Sequence, residues 1–438
     1  MERVNYRPDI EGLRALAILM VVGAHAHVPG LQGGFVGVDI FFVISGYLIS
    51  GLLVSERVRT DRIDIAAFYA RRFRRLLPAL MLMLAATALA TCLLLPPQGQ
   101  SYQASAGAAA SVWASNLYFA FEDVDYFDAA SEYNTYLHTW SLGIEEQFYL
   151  VWPLLILLLR PRGKSGNEAR LSWGMTAILL ASLLACFWMT LSSVRHAFYL
   201  MPLRAWEFAA GAVACLFSPT LSRWATDWQR DWVGEALGVG GIVLLLSALA
   251  LVGRGTAYPG TWAILPVSGA ACLLLAASAG RSIVTRALSL APMQAIGKVS
   301  YGWYLWHWPA LVLGALLIPA PGLVQRLWLL FAALALAFAS YRLVEQPVRR
   351  NAELIREPRR FILASLLLML GAVSLFVRWG ELAQASSQTP AAGVESSALA
   401  MAGAVPAIYT MGCDDWYRSD RLVPCVFGPP SAPGTVVA

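Results

Sequence analysis

Charge is what this 438-residue chain has least of. Asp, Glu, Lys and Arg make up 13% of it, against about 25% in an ordinary soluble domain, while hydrophobic residues make up 58%. Lysine occurs twice beside 30 arginines, which we read mostly as genomic bias. The scarcity of charge excludes a soluble enzyme and implies a polytopic membrane protein. No C-x-x-C or H-E-x-x-H spacing occurs, which argues against a protein-held metal. The formal charge of +5 says little about nucleic acid, because the basic residues are spread over loops between apolar runs. Of six cysteines, Cys92, Cys186, Cys215 and Cys272 each sit alone in an apolar run, where a small buried residue is the plain reading.

Long apolar runs are what the chain has instead. About 20 apolar residues are needed for a helix to cross the hydrocarbon, and eleven such stretches can be marked: about 10–28, 35–55, 76–95, 139–159, 172–191, 198–217, 233–252, 260–278, 297–318, 323–345 and 361–380. The fold expected is all-α, with about 10–11 transmembrane helices. The first stretch is no cleaved signal, since it carries Arg14 and lacks a small-x-small site. Arginine concentrates in alternate loops, most of all in "SERVRTDRIDIAAFYARRFRRLLP". By the positive-inside rule the N-terminus is expected in the cytoplasm of a bacterial inner membrane and, with an odd number of spans, the C-terminus in the periplasm or outside. The segment before the fourth span carries Glu122, Asp123, Asp125, Asp128 and Glu132 without a basic partner, which suits the outer side. Residues 381–438 read as a small, polar, flexible linker, poorly ordered, ending in Cys413 and Cys425, twelve residues apart on the expected oxidising side, where a disulfide is plausible.

An ionisable group at the centre of a membrane helix costs roughly 2.5–3.5 kcal/mol on insertion scales, so the exceptions are informative. Arg14 and His25 are eleven residues apart, about three helical turns, which puts them on one face ~16 Å apart along the axis. A snorkelling topology residue and a polar helix end are the bland alternatives, and the second suits His27 better. Asp39 enters the second span at the depth of His25, where a carboxylate would favour the charged ring or hold one tautomer. Glu145 and Glu146 lie on the fourth span about two turns from its outer end, and only one of two adjacent residues can face the cavity of His25. Arg71, Arg72, Arg74 and Arg75 precede the third span. They serve as a topology signal and attract anionic lipid, yet arginine clusters also bind phosphates bidentately. A donor with a phosphate head and a reactive tail ~15–20 Å long, the shape of acyl-coenzyme A, would bridge from these arginines to His25.

The stretches "YRPDIEGLRALAILMVVGAHA", "GGFVGVDIFFVISGYLI", "RRFRRLLPAL", "WSLGIEEQFYLVWP", "SYGWYLWHWP" and "YRLVEQPVR" together resemble the membrane acyltransferase-3 family, most of all the surface-polysaccharide O-acetyltransferases of the OafA type, over about residues 6–350. The resemblance implies transfer of an acyl group, usually acetyl, from cytoplasmic acetyl-coenzyme A to a hydroxyl of a cell-surface glycan such as lipopolysaccharide O-antigen. Its R-x10-H signature falls on Arg14 and His25, its second-span motif on Asp39 to Gly46, its R-x-x-R element on Arg71–Arg75, and its E-E-Q-F-Y block on Glu145 to Tyr149. Residues 1–350 are then the acyltransferase domain and 351–380 an additional span. Residues 381–438 resemble the approach to an extracellular SGNH-like domain whose G-D-S block does not arrive.

The expected chemistry makes His25 a general base or a transient acyl carrier, oriented by Asp39 and one of Glu145 and Glu146. Arg14, Arg71, Arg72, Arg74 and Arg75 hold the donor's phosphates. The rival reading is a proton-coupled transporter or glycan flippase, which also uses polar membrane stripes, but no inverted repeat or paired broken helices appear. A scaffold whose polar groups only rigidify the bundle is a third. Elsewhere, Arg204 and Glu207 at i, i+3 suit a structural pair, and His307 between tryptophans suits packing as well as substrate contact. Gly33 and Gly37 suit a close helix approach. Tyr341, Arg342 and Glu345 suit a structural role.

Overall fold

The computed structural model describes residues 6–122, 126, 131–159, 168–227, 232–253, 255–280, 282–318 and 320–388. Cys413, Cys425 and the rest of 389–438 lie outside the described residues, as do Asp123, Asp125 and Asp128 and the basic stretch 160–167.

Every regular element among the described residues is helical. In order, α1 is Pro8–His25, α2 Gly37–Thr60, α3 Ile65–Leu94, α4 Pro97–Ser111, α5 Ser115–Phe121, α6 Trp140–Leu159, α7 Glu168–Ser192, α8 Val194–Tyr199 and α9 Met201–Asp227. Then come α10 Trp232–Leu251, α11 Ile264–Ala279, α12 Ile283–Leu288, α13 Ala291–Leu317, α14 Leu323–Ser340, α15 Gln346–Arg350, α16 Ala352–Arg356 and α17 Pro358–Gln388. A 3₁₀ turn, Gln32–Val36, leads into α2, and a π-helical turn, Tyr341–Glu345, joins α14 to α15.

All eleven apolar stretches are helical, but seven helices are long and apolar enough to cross a membrane: Gln32–Thr60, Ile65–Leu94, Leu137–Leu159, Ala169–Ser192, Trp232–Leu251, Leu323–Arg350 and Pro358–Ser387. The expected count of ten or eleven is larger because α1, α9, α11 and α13 fall outside that group. α11 is short, with 16 residues. The other three carry the polar residues singled out above, which dilute their apolar windows.

Two further boundaries differ from expectation for local reasons. α3 begins at Ile65, eleven residues before the apolar stretch, because Asp64 caps it by accepting from the Ala67 N–H. Arg71–Arg75 therefore lie on a helix and not in a loop. α17 runs to Gln388, so the first residues expected in the linker are helical: Ala383, Gln384 and Ala385 are good helix formers, and Arg378 pairs with Glu381 one turn away. Cys92 is exposed, against its expected burial, Cys186 is buried, and Cys215 and Cys272 are half-buried.

Close approach of helix backbones sets the bundle's centre. A Cβ on Gly46 would lie 1.9 Å from the Phe208 carbonyl oxygen, and one on Gly211 2.0 Å from that of Val43. Only glycine at both positions lets α2 and α9 touch this tightly, the small-residue packing that replaces hydrophobic drive inside a bilayer. Gly37 likewise sits against the Ala17 carbonyl of α1 and Gly33 against that of Leu249, as their spacing suggests. α13 packs along α1, while α17 packs on α3 and α4, with the Phe376 ring over Gly107 and the Trp379 indole donating to Gln100.

Candidate active site

Five helices, α1, α2, α3, α6 and α13, enclose a cavity of about 90 Å³ whose lining includes Arg14, Arg72, Arg75, Ser45, Glu145 and Tyr149. Helical spacing explains why two of the four clustered arginines face it. Arg72 and Arg75 are three residues apart and share a face. Arg71 turns outward to Glu56 at 3.4 Å, and Arg74 donates to the Leu354 carbonyl at 2.8 Å beside the Phe361 ring. Glu145 accepts from both the Ser45 and Tyr149 hydroxyls, and the Arg72 guanidinium lies 4.8 Å over the Tyr149 ring. Arg14 is 3.4 Å from Glu11. The far wall is formed by Ser141 and Tyr304, whose hydroxyls lie 2.6 Å apart. Glu145 thus belongs to the arginine cavity and not, as expected, to the surroundings of His25. Its neighbour Glu146 is absent from the lining of both cavities.

His25, the last residue of α1, lines a second and larger cleft of about 570 Å³ with His27, Gln32, Tyr126, Tyr133, Trp308 and Arg326. Its Nε2 is 2.9 Å from the Tyr126 hydroxyl and its Nδ1 2.9 Å from His307 Nε2. The His307 Nδ1 lies 2.6 Å from the Tyr304 carbonyl oxygen. The two imidazoles are nearly parallel, and the Trp308 ring meets His25 edge-on at 4.8 Å. Trp308 is itself pinned by donating to the Asn134 carbonyl at 2.7 Å. A third ring, His138, is buried 5.7 Å from His307, and neither of its nitrogens has a hydrogen-bond partner among the described residues. Arg326 lies 2.5 Å from His27 Nδ1.

Asp39 is not where its depth suggested. Its carboxylate takes the Arg204 guanidinium at 2.7 Å and the Tyr258 hydroxyl at 2.5 Å, completely enclosed. Arg204 also meets Glu207 at 2.8 Å, and the rings of Phe42, Trp140, Phe198 and Tyr258 surround it. The α2–α9 contact that the glycines allow draws Asp39 sideways into this cage, away from His25 on α1. Equal depth in two helices says nothing about the azimuth of their side chains. The expected i, i+3 pair of Arg204 and Glu207 is present, with Asp39 as its third member. Glu345 is buried on the π-helical turn, and Arg342 covers the Phe338 ring.

His307, expected either to pack or to touch substrate, and Tyr126, not singled out at all, are the side chains that meet the two ring nitrogens of His25. Their signal is faint: Tyr126 sits in an acidic stretch and His307 is 282 residues from its partner. Among the described residues no three His, Cys, Asp or Glu side chains gather as a metal site.

Comparison with known proteins finds the profile described as an acyltransferase domain, acyltransferase-3, matching residues 7–342. Among curated relatives, "O-acetyltransferase OatA" of Staphylococcus aureus (strain MRSA252) is 31% identical over 387 residues, covering 86% of this chain and 64% of that protein. "Peptidoglycan O-acetyltransferase OatA" of Listeria monocytogenes is 30% identical over 359 residues, covering 79% of this chain and 56% of its own length. "Putative peptidoglycan O-acetyltransferase YrhL" of Bacillus subtilis is 30% identical over 354 residues, covering 79% and 55%. The chain thus spans somewhat over half the length of these relatives. No solved structure matches.

Proposed function

The chain belongs to the acyltransferase-3 family, and on that premise we propose that it is a membrane O-acetyltransferase, carrying acetyl from cytoplasmic acetyl-coenzyme A to a glycan hydroxyl on the outer face of the bacterial inner membrane. The observation that carries this reading is the division of α1 between two cavities: Arg14 faces one lined by arginines, and His25 faces a roomier aromatic cleft. The ~16 Å between them follows from helical rise and suits the reach of a pantetheine arm.

Arg14, Arg72 and Arg75 take the donor's phosphates as charge-assisted pairs. Glu145 holds Tyr149 beneath Arg72 and balances the local positive charge. The thioester extends toward the wall of Ser141 and Tyr304, and the acceptor enters the cleft of Trp308, Tyr126 and Tyr133, aromatic faces suited to sugar rings. The acceptor oxygen forms a C–O bond to the acyl carbon as its proton passes to His25. The thioester C–S bond breaks, and the thiolate leaves as the thiol after receiving the proton that His25 accepted. The N-terminus is cytoplasmic and the C-terminus outside, as the arginine-rich loops imply.

Two acceptor classes are in view. The relatives' names point to peptidoglycan, and the resemblance to OafA-type enzymes points to lipopolysaccharide O-antigen. Membranes containing the protein should release coenzyme A from radiolabelled acetyl-coenzyme A and retain label in alkali-labile form on a glycan. Mass spectrometry of both polymers from cells with and without the protein identifies the acceptor. Wild-type membranes with no acetyl transfer to any envelope glycan would refute the reading.

A further inference from the structure

We propose that His307 is the positioning residue of His25, fixing which of its nitrogens is the base; the catalytic meaning of this rests on the acyltransferase reading. The argument needs only donors and acceptors. A backbone carbonyl can only accept, so the 2.6 Å contact between His307 Nδ1 and the Tyr304 oxygen assigns the proton to Nδ1. In the neutral ring, Nε2 of His307 then carries the lone pair. The 2.9 Å contact from that atom to His25 Nδ1 requires a proton on His25 Nδ1. The lone pair of His25 is therefore on Nε2, the nitrogen turned to the Tyr126 hydroxyl and to the cleft.

The tautomer of one histidine is thus set by the main chain of α13 through a second histidine. This is the orienting task that sequence reasoning gave to Asp39, which is committed to Arg204 and Tyr258. Burial strengthens the assignment. His307 is 0% exposed and enclosed on α13, and a ring so held loses little of its geometry to solvent. When His25 takes the acceptor's proton on Nε2, its Nδ1–H remains donated to His307, so the imidazolium that forms already has an acceptor in place. No proton leaves the row, because the Tyr304 carbonyl cannot pass one on.

Two measurements test this. In nanodisc-embedded protein labelled with ¹⁵N-histidine, nuclear magnetic resonance should show His25 protonated on Nδ1 and bare on Nε2, and His307→Leu should lose that uniform state. In membranes, His307→Leu should lower the kcat for acetyl transfer about 10²-fold or more, within the range a general base contributes, with the KM for acetyl-coenzyme A within twofold of wild type. His307→Gln, whose side-chain oxygen can accept from His25 Nδ1, should recover at least tenfold over the leucine variant. His25 bearing its proton on Nε2 in the wild type overturns the proposal whether or not the protein transfers acetyl. A folded glutamine variant as inactive as the leucine one also overturns it. A wild type with the expected tautomer and no transfer refutes the acyltransferase reading alone.

Discussion

The arginine cavity and the histidine cleft are built on opposite principles. The first is an excess of positive charge, three guanidiniums sharing one lining with Glu145 and framed by tyrosine and serine hydroxyls. The second turns on a row of hydrogen-bonded rings, His25, His307 and Tyr126, ending on a main-chain carbonyl. Charge suits a task of affinity, since a phosphate is recognised by its charge. A fixed row of donors and acceptors suits a task of timing, since a base must present one lone pair at one place. The Asp39–Arg204–Glu207 cage belongs to neither. None of its three members lines either cavity, and its Asp39–Arg204 pair joins α2 to α9.

The comparison breaks most visibly at His25. His25→Ala should leave expression and insertion intact while acetyl transfer falls about 10²–10⁴-fold, measured as label transferred to glycan; wild-type-like transfer would sink the division of labour. The cage is the next largest effect. Asp39→Ala takes the acceptor from two buried donors, the Arg204 guanidinium and the Tyr258 hydroxyl, at a cost of about 1–3 kcal/mol each. The expected result is a lower unfolding temperature in detergent, with donor affinity in the surviving folded fraction unchanged. A variant as stable as wild type that has lost activity would return Asp39 to His25.

Arg72→Gln and Arg75→Gln each remove a charged hydrogen bond worth about 1.5–3 kcal/mol, so the KM for acetyl-coenzyme A should rise roughly 10- to 100-fold with kcat little changed. An equal fall in kcat and no change in KM would contradict the assignment of affinity to this cavity. The smallest effect sharpens the same point. Arg71→Gln removes a half-exposed pair with Glu56, worth about 0–1 kcal/mol, and should leave KM within a fewfold of wild type. An Arg71 effect as large as that of Arg72 would return the cluster to a single, undivided role.

The sequence was legible wherever one helix carried the information. The eleven-residue spacing of Arg14 and His25 puts them on one face, and the structure sends them into different cavities along it. The separation of Arg72 and Arg75 from Arg71 and Arg74 was also within reach: Asp64 is a recognisable N-cap, and starting the helix there makes the i, i+3 faces follow. Contacts between helices were not legible. Nothing in "YLWHWP" announces that His307 meets His25, and nothing at Asp39 announces Arg204, because azimuth is decided by packing such as that of Gly46 on Phe208. All eleven apolar stretches were legible as helices, though among the described residues only seven helices are long and apolar enough by themselves to cross a membrane. Polar residues dilute the apolar windows of α1, α9 and α13: Arg14 on the first, Arg204 and Glu207 on the second, His307 on the third.

A membrane that stores energy as a voltage must not be short-circuited by its own enzymes. In the orientation proposed above, cavities enter from both faces and end near one another, and each elementary charge leaking across 100 mV dissipates about 2.3 kcal/mol. A row of hydrogen bonds conducts protons only if every member can both receive and release one. The Tyr304 carbonyl can do neither. That one acceptor makes the row an insulator, so His25 can trade a proton with substrate without passing it down the row.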